Sequence, residues 1–209
     1  MRKTTGGPTV FIVDDDDAVR DSLGALVESA GLTAESFASG TRFLDALGPD
    51  RIGCVLLDVQ MPDLGGLEIQ ERLAASQSGL RVIIITGHGD VPLAVRAMKA
   101  GAVDFIEKPF DDGVLLDCVQ RALAESQRGQ AGEVAAAGLE GLGQLTPRER
   151  DVLHQLIVGN PNKVIAYELG ISPRTVEVHR ARVMEKMQAK SLSHLVRMAL
   201  AAGVDPEGL

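Results

Sequence analysis

Five short strand-like runs, four of them apolar, punctuate the first 125 residues, and each is followed by a stretch in which apolar positions recur at helical spacing. The runs are Thr9–Val13, Thr33–Phe37, 54–58, Arg81–Thr86 and 103–107. Three of them, VFIV, CVLL and VIII, have no polar alternation, the pattern of strands buried on both faces. The intervening stretches carry Val19, Leu23, Leu26 and Val27; then Phe43, Leu44 and Leu47; then 67–73; then 91–100; then Val114, Leu115, Cys118, Val119 and Leu123. Gly31, Gly48-Pro49 and Gly101 stop helices, and Ser39 offers an N-cap. Strand then helix, five times over, predicts a flavodoxin-like (βα)5 sheet in the order 2-1-3-4-5 with helices on both faces.

After Leu123 the pattern changes. Residues 124–144 hold five glycines and few large apolar side chains. The spacing predicts a linker over 128–143, with Gly138, Gly141 and Gly143 breaking any helix. From 144 onward only helical periods remain. Thr146-Pro147-Arg148-Glu149 is a capping box with Pro at the first helical position. Val152, Leu153, Leu156 and Ile157 form the face of the helix it opens. A second helix, Asn162–Leu169, turns Val164, Ile165 and Ala166 inward, and Gly170 makes a tight turn. Ser172-Pro173 opens a third helix running to Met187. Ser191 caps a fourth, with Leu192, Leu195, Val196 and Ala199 on one side. This is an all-α four-helix domain containing a helix-turn-helix. The expected division is 1–127, 128–143 and 144–209.

Charge sharpens that division. The net charge of −8 falls entirely on residues 1–129, with 12 basic against 20 acidic residues; residues 130–209 balance at 9 and 9. Within 172–190 five basic residues face two acidic ones. Two halves of such different charge imply different partners. Cys54 and Cys118 fall in apolar elements and read as buried thiols. No secretory h-region and no run of about 20 apolar residues is present, so a cytoplasmic protein is expected.

The strand order brings Asp14 and Asp15, Asp58, Thr86 and Lys108 to adjacent carboxyl ends, where open α/β sheets place their sites. Converging carboxylates repel, and a hard divalent cation such as Mg²⁺ relieves this through oxygen ligands. Asp15 would bind it directly, Asp14 through water, and the Gln60 main-chain carbonyl would add a ligand. Asp58 can then act as a carboxylate nucleophile toward phosphorus. Thr86 offers a hydroxyl and Lys108 a point charge to the phosphoryl oxygens, and positioning with charge neutralisation suffices. A small-molecule phosphatase built this way needs an acid/base carboxylate two residues after the nucleophile; that position is Gln60. His88, in the Gly-rich loop, reads as a solvated side chain, since Mg²⁺ disfavours imidazole.

On the third C-terminal helix, projection at 100° per residue puts Val176, Val183 and Met187 on the core face. Arg174, Val178, Ala181, Arg182 and Glu185 lie opposite, with Glu177 to one side. Arg beside small Val and Ala suits a major groove, where Arg meets guanine, a carboxylate meets cytosine and methyls meet thymine. A protein-binding adaptor is the rival; steep salt dependence of DNA affinity separates the two.

Asp14-Asp15, LLDVQMPDLGG, IIITGHGD and FIEKPF together resemble a response-regulator receiver domain. LTPRERDVL, PNKVIAYELGISPRTVEVHRARVMEKM and KSLSHLVRMAL resemble the LuxR-type output domain of the NarL/FixJ subfamily. A run of four aspartates departs from the commoner two acids plus Glu. The resemblance implies that Asp58 takes phosphate from a sensor histidine kinase, FixL-like and haem-containing in this subfamily. It implies a cis Lys108-Pro109 bond, and a switch in which Thr86 moves onto the phosphoryl group and Phe105 turns inward. It further implies homodimerisation through the fourth helix and fifth strand, around Val91, Val95 and Lys99, and binding of double-stranded promoter DNA. Glu177, Val178 and Ala181 would face bases, and Lys163, Arg174, Thr175, His179 and Lys190 would contact phosphates. The last helix would pair two domains across a palindrome. RNA polymerase is the implied partner at the promoter, and activation of nitrogen-fixation or microaerobic genes the implied outcome.

Overall fold

The computed structural model describes residues 8–48, 51–76, 78–87, 91–128 and 131–204. His88 lies outside them. Ten helices and five strands are described, in two compact units. The first unit comprises 1–88 with 100–129, and the second 130–209 with 89–99.

The first unit is built on a parallel sheet of β1 (Thr9–Val13), β2 (Thr33–Phe37), β3 (Gly53–Asp58), β4 (Arg81–Thr86) and β5 (Asp104–Glu107), ordered β2-β1-β3-β4-β5. β3 is buried along its whole length, as its unbroken apolar run predicts. The strands alternate with α1 (Asp17–Ser29), α2 (Gly40–Ala46), α3 (Gly66–Ala75), α4 (Val91–Lys99) and α5 (Asp112–Arg128). One core joins Val10, Ile12, Leu56, Ile83 and Ile85 of the sheet to Leu23 and Val27 of α1 and Leu115, Val119 and Ala122 of α5. Across the other face, Phe11, Phe37 and Phe43 cluster with ring centroids 5.5–6.4 Å apart; Phe37 meets Phe43 edge to face, and Phe11 is tilted against both.

α4 is grouped with the second unit. Val95 on it, expected at the surface, is buried, 2 % exposed, beside the turn at Gly159. An apolar face on a helix does not say which neighbour covers it.

The rest of the second unit is α6 (Ala131–Gln144), α7 (Pro147–Val158), α8 (Asn162–Leu169), α9 (Pro173–Lys186) and α10 (Leu192–Ala201). Its core gathers Val152, Leu153, Leu156 and Ile157 of α7, Ile165 of α8, Val176 and Val183 of α9, and Leu195 and Ala199 of α10. Both halves of the predicted capping box are made: Thr146 accepts the Glu149 N–H, and the Glu149 carboxylate accepts the Thr146 N–H at 2.8 Å. Val164 is exposed rather than inward, because Ile165, Ala166 and Leu169 define the buried side of a helix only two turns long.

The expected break at Gly138, Gly141 and Gly143 does not occur; α6 runs straight through all three. The glycines serve close approach instead. A Cβ on Gly138 would lie 2.3 Å from the Met198 carbonyl oxygen of α10, and one on Gly141 would lie 3.0 Å from Met187 Cα after α9. Tertiary packing of α6 offsets the roughly 1 kcal/mol each glycine costs in a helix. No helix among the described residues is long and apolar enough to cross a membrane.

Candidate functional site

The register fixes the first site. Val13 pairs with Leu57, and Asp58 pairs with Ile85, so Asp14, Asp58 and Thr86 leave three neighbouring strands at one edge. The Lys108 N–H donates to the Thr86 carbonyl at 2.7 Å, tying the ends of β4 and β5. The Lys108-Pro109 peptide is cis, as the resemblance implies.

The charged groups then meet. Lys108 Nζ donates to Asp14 Oδ2 at 2.7 Å and to Asp58 Oδ1 at 2.9 Å. Asp58 Oδ2 accepts the Gln60 N–H at 2.6 Å, and Asp14 Oδ1 accepts the Asp16 N–H at 2.9 Å. Asp14 and Asp58 are buried, 3 % and 8 % exposed. Burial alone would lower the pKa of the Lys108 ammonium; its hydrogen bonds to Asp14 and Asp58, and their charges, overcome that and raise it. One cation thus faces two desolvated carboxylates. Thr86 is buried beside them and Phe105 is half-buried on β5.

Asp15 is exposed, and among the described residues no three Asp, Glu, His or Cys side chains are grouped as a metal site. The assembled pair, Asp14 and Asp58, nevertheless fits Mg²⁺. Its donors are carboxylate oxygens, hard ligands that share one compensating charge between them.

Three supports escaped the sequence reading. Arg20 Nη1 donates to the Asp14 carbonyl at 2.7 Å. Asp63 accepts from Ser39 Oγ at 2.8 Å and the Thr41 N–H at 3.0 Å, which anchors the loop after β3 to the start of α2. The Thr41 N–H first, then the Ser39 hydroxyl, holds the Asp63 carboxyl well below the usual range. Gly66 lets α3 start against β3, since a Cβ there would lie 2.2 Å from the Asp58 carbonyl. The Gly65-Gly66 pair was the only visible signal; side chains meeting across 24 residues leave none.

The second site is the outer face of α9. Arg174, Glu177, Val178 and Ala181 line one shallow groove, with Val178 47 % exposed. Among the described residues Arg174 and Glu177 make no side-chain hydrogen bond or ion pair, though three residues apart on one helix. Arg182, Lys163 and Lys190 are exposed as well. Thr175 is half-buried, its hydroxyl 2.8 Å from that of Ser172. His179 is half-buried, and its Nδ1 is buried with no hydrogen-bond partner among the described residues.

α9 is fixed by its other faces. Arg180 Nη1 donates to Asn162 Oδ1 at 3.0 Å, and Lys186 Nζ donates to Glu149 Oε2 at 2.6 Å. Lys186 first, then the Thr146 N–H, lowers the Glu149 pKa from 4.5 to about 2. A depressed carboxylate stabilises the fold fully above its unfolded value, so this contribution is lost only as pH falls from about 4.5 toward 2.

Residues 10–120 match the response regulator receiver domain, and residues 143–199 match the luxR family of bacterial regulatory proteins. A receiver joined to a helix-turn-helix output defines a two-component transcription regulator. The chain is 52 % identical over 198 residues to the transcriptional regulatory protein FixJ of Azorhizobium caulinodans, covering 94 % of each. It is 50 % identical over 204 residues to FixJ of Rhizobium meliloti, covering 95 % of this chain and 98 % of that one. Full-length FixJ from B. japonicum superposes with a TM-score of 0.57 at 50 % identity, covering 95 % of this chain and 98 % of that one. The chain belongs to the FixJ-like response regulators.

Proposed function

We propose that Asp58 is the phosphoacceptor and that its phosphorylation switches the protein to promoter binding. The bridge from Lys108 to both Asp14 and Asp58 carries this reading. A carboxylate oxygen of Asp58 attacks the phosphorus of a phosphohistidine on the sensor kinase. The phosphorus–oxygen bond forms as the phosphorus–nitrogen bond breaks, and the imidazole leaves. Mg²⁺, held by Asp14, Asp15, Asp58 and the Gln60 carbonyl, supplies charge neutralisation to the phosphoryl oxygens when bound. Lys108 follows the new negative charge and the Thr86 hydroxyl donates to it. Phe105 fills the space that Thr86 vacates. Later attack by water on the same phosphorus resets Asp58, and no other catalysis is assigned.

The receiver spans 1–127 and the output domain 144–209, in a cytoplasmic protein. The phosphorylated form pairs as a homodimer through α4, where Val91 and Lys99 are accessible and Val95 must first be uncovered. Glu177, Val178 and Ala181 read base edges of double-stranded DNA. Arg174, Thr175, His179, Arg182, Lys163 and Lys190 hold its backbone. By likeness to its FixJ relatives, the kinase is a FixL-like haem sensor, the dimer recruits RNA polymerase, and the genes serve nitrogen fixation or microaerobic growth.

Light scattering and gel shift with beryllofluoride and Mg²⁺, a phosphoryl mimic, test the reading in wild type and Asp58→Asn. Wild type should dimerise and gain DNA affinity at least tenfold, about 1.4 kcal/mol, and the variant should do neither. Equal responses would remove Asp58 as the switch.

A further inference from the structure

Most of the groups proposed to touch DNA lie on the outer face of α9, and the helix is fastened at its C-terminal end. One oxygen of Glu149, a residue 2 % exposed, accepts both the Thr146 N–H that caps α7 and the Lys186 ammonium of the last turn of α9. From another side α6 presses Gly141 onto the residue after α9. A Cβ there would stand 2.7 Å from Met187 Sδ and 3.0 Å from Met187 Cα. α6 is itself tied to α7, with Arg150 Nη2 donating to the Leu142 carbonyl at 3.1 Å. α9 is about 20 Å long, so a small displacement at Met187 tilts the whole rod and moves Arg174 and Glu177 at its far end. Base readout tolerates only about 0.5 Å of misplacement, whereas phosphate contacts through long flexible side chains tolerate more.

We infer that Glu149 and Gly141 are positioning residues for DNA sequence readout: they set the angle at which α9 meets the major groove without touching DNA. The segment that links the domains in sequence, α6, is then part of the reading head. This rests on the helix-turn-helix reading and adds residues to it.

The test uses the full chain with beryllofluoride and Mg²⁺. Wild type first selects a duplex from a random pool, and affinities are then measured for that duplex and a scrambled one. Glu149→Gln should lose roughly tenfold in the selected duplex alone, the cost of one imperfect base contact. Its scrambled-duplex affinity and salt slope should stay at wild-type values. Lys186→Arg, which retains the ion pair, should remain near wild type. Gly141→Ala raises helix propensity, so it does not weaken α6 by itself, yet it should lower the selected-to-scrambled ratio too. It also carries the test alone if Glu149→Gln unfolds. An unchanged ratio in Gly141→Ala, or a parallel fall in both affinities that tracks loss of folded protein, overturns the proposal. A wild type that selects no duplex would instead remove the DNA reading itself.

Discussion

The two candidate surfaces handle charge in opposite ways. At the sheet edge the buried carboxylates of Asp14 and Asp58 converge on the partly exposed ammonium of Lys108, and the three satisfy one another. On α9, Arg174 and Glu177 project into solvent, and the buried ion pair of that domain, Glu149 with Lys186, lies at the helix end behind them. The difference suits the tasks proposed for the two surfaces. Phosphoryl chemistry gains from preorganised charges in a dry site, where each interaction is worth more. Groove readout needs groups still free to exchange water for base edges, held by a scaffold whose own charges are already paired.

The largest effect is expected at Lys108. In Lys108→Met two buried carboxylates would face each other uncompensated. Urea unfolding in EDTA should then show a loss of about 3 kcal/mol at neutral pH. Millimolar Mg²⁺, or acid that protonates one carboxylate, should recover most of it. Indifference to Mg²⁺ would mean that the pair is not a cation site.

A smaller loss tests whether α6 belongs to the output domain. Gly138→Ala gains up to about 1 kcal/mol of helix propensity. It also forces a methyl toward the Met198 backbone, an overpacking cost of about 1–3 kcal/mol. A net destabilisation of roughly 1–2 kcal/mol is expected by thermal unfolding, and a stabilised variant would show α6 to be loosely attached.

Least disruptive is Arg174→Ala on the open face. Stability should stay within about 0.5 kcal/mol of wild type. If Arg174 holds a phosphate, DNA affinity should fall across all sequences and the salt slope should drop by about 1. Relaxed preference at one base position, with the slope unchanged, would move Arg174 into base readout.

Sequence alone determined what local physics determines. Runs such as VFIV and CVLL ending in carboxylates specified strands and the edge at which their chemistry sits, because burial on both faces leaves no polar alternation. Thr146-Pro147-Arg148-Glu149 and Ser172-Pro173 specified helix starts, because orphan N–H groups are satisfied within three residues. Tertiary structure decided the rest. Glycines at 138 and 141 look like helix breakers to a local reading, since a missing side chain costs backbone entropy. The same missing side chains are what let α6 lie against α9 and α10. Val95 belongs to a helix whose apolar face is legible but whose covering surface is not. Lys108 meets Asp14 across 94 residues and Lys186 meets Glu149 across 37. Pairing at that range depends on where the folded backbone carries two side chains, and no periodicity along the chain encodes it.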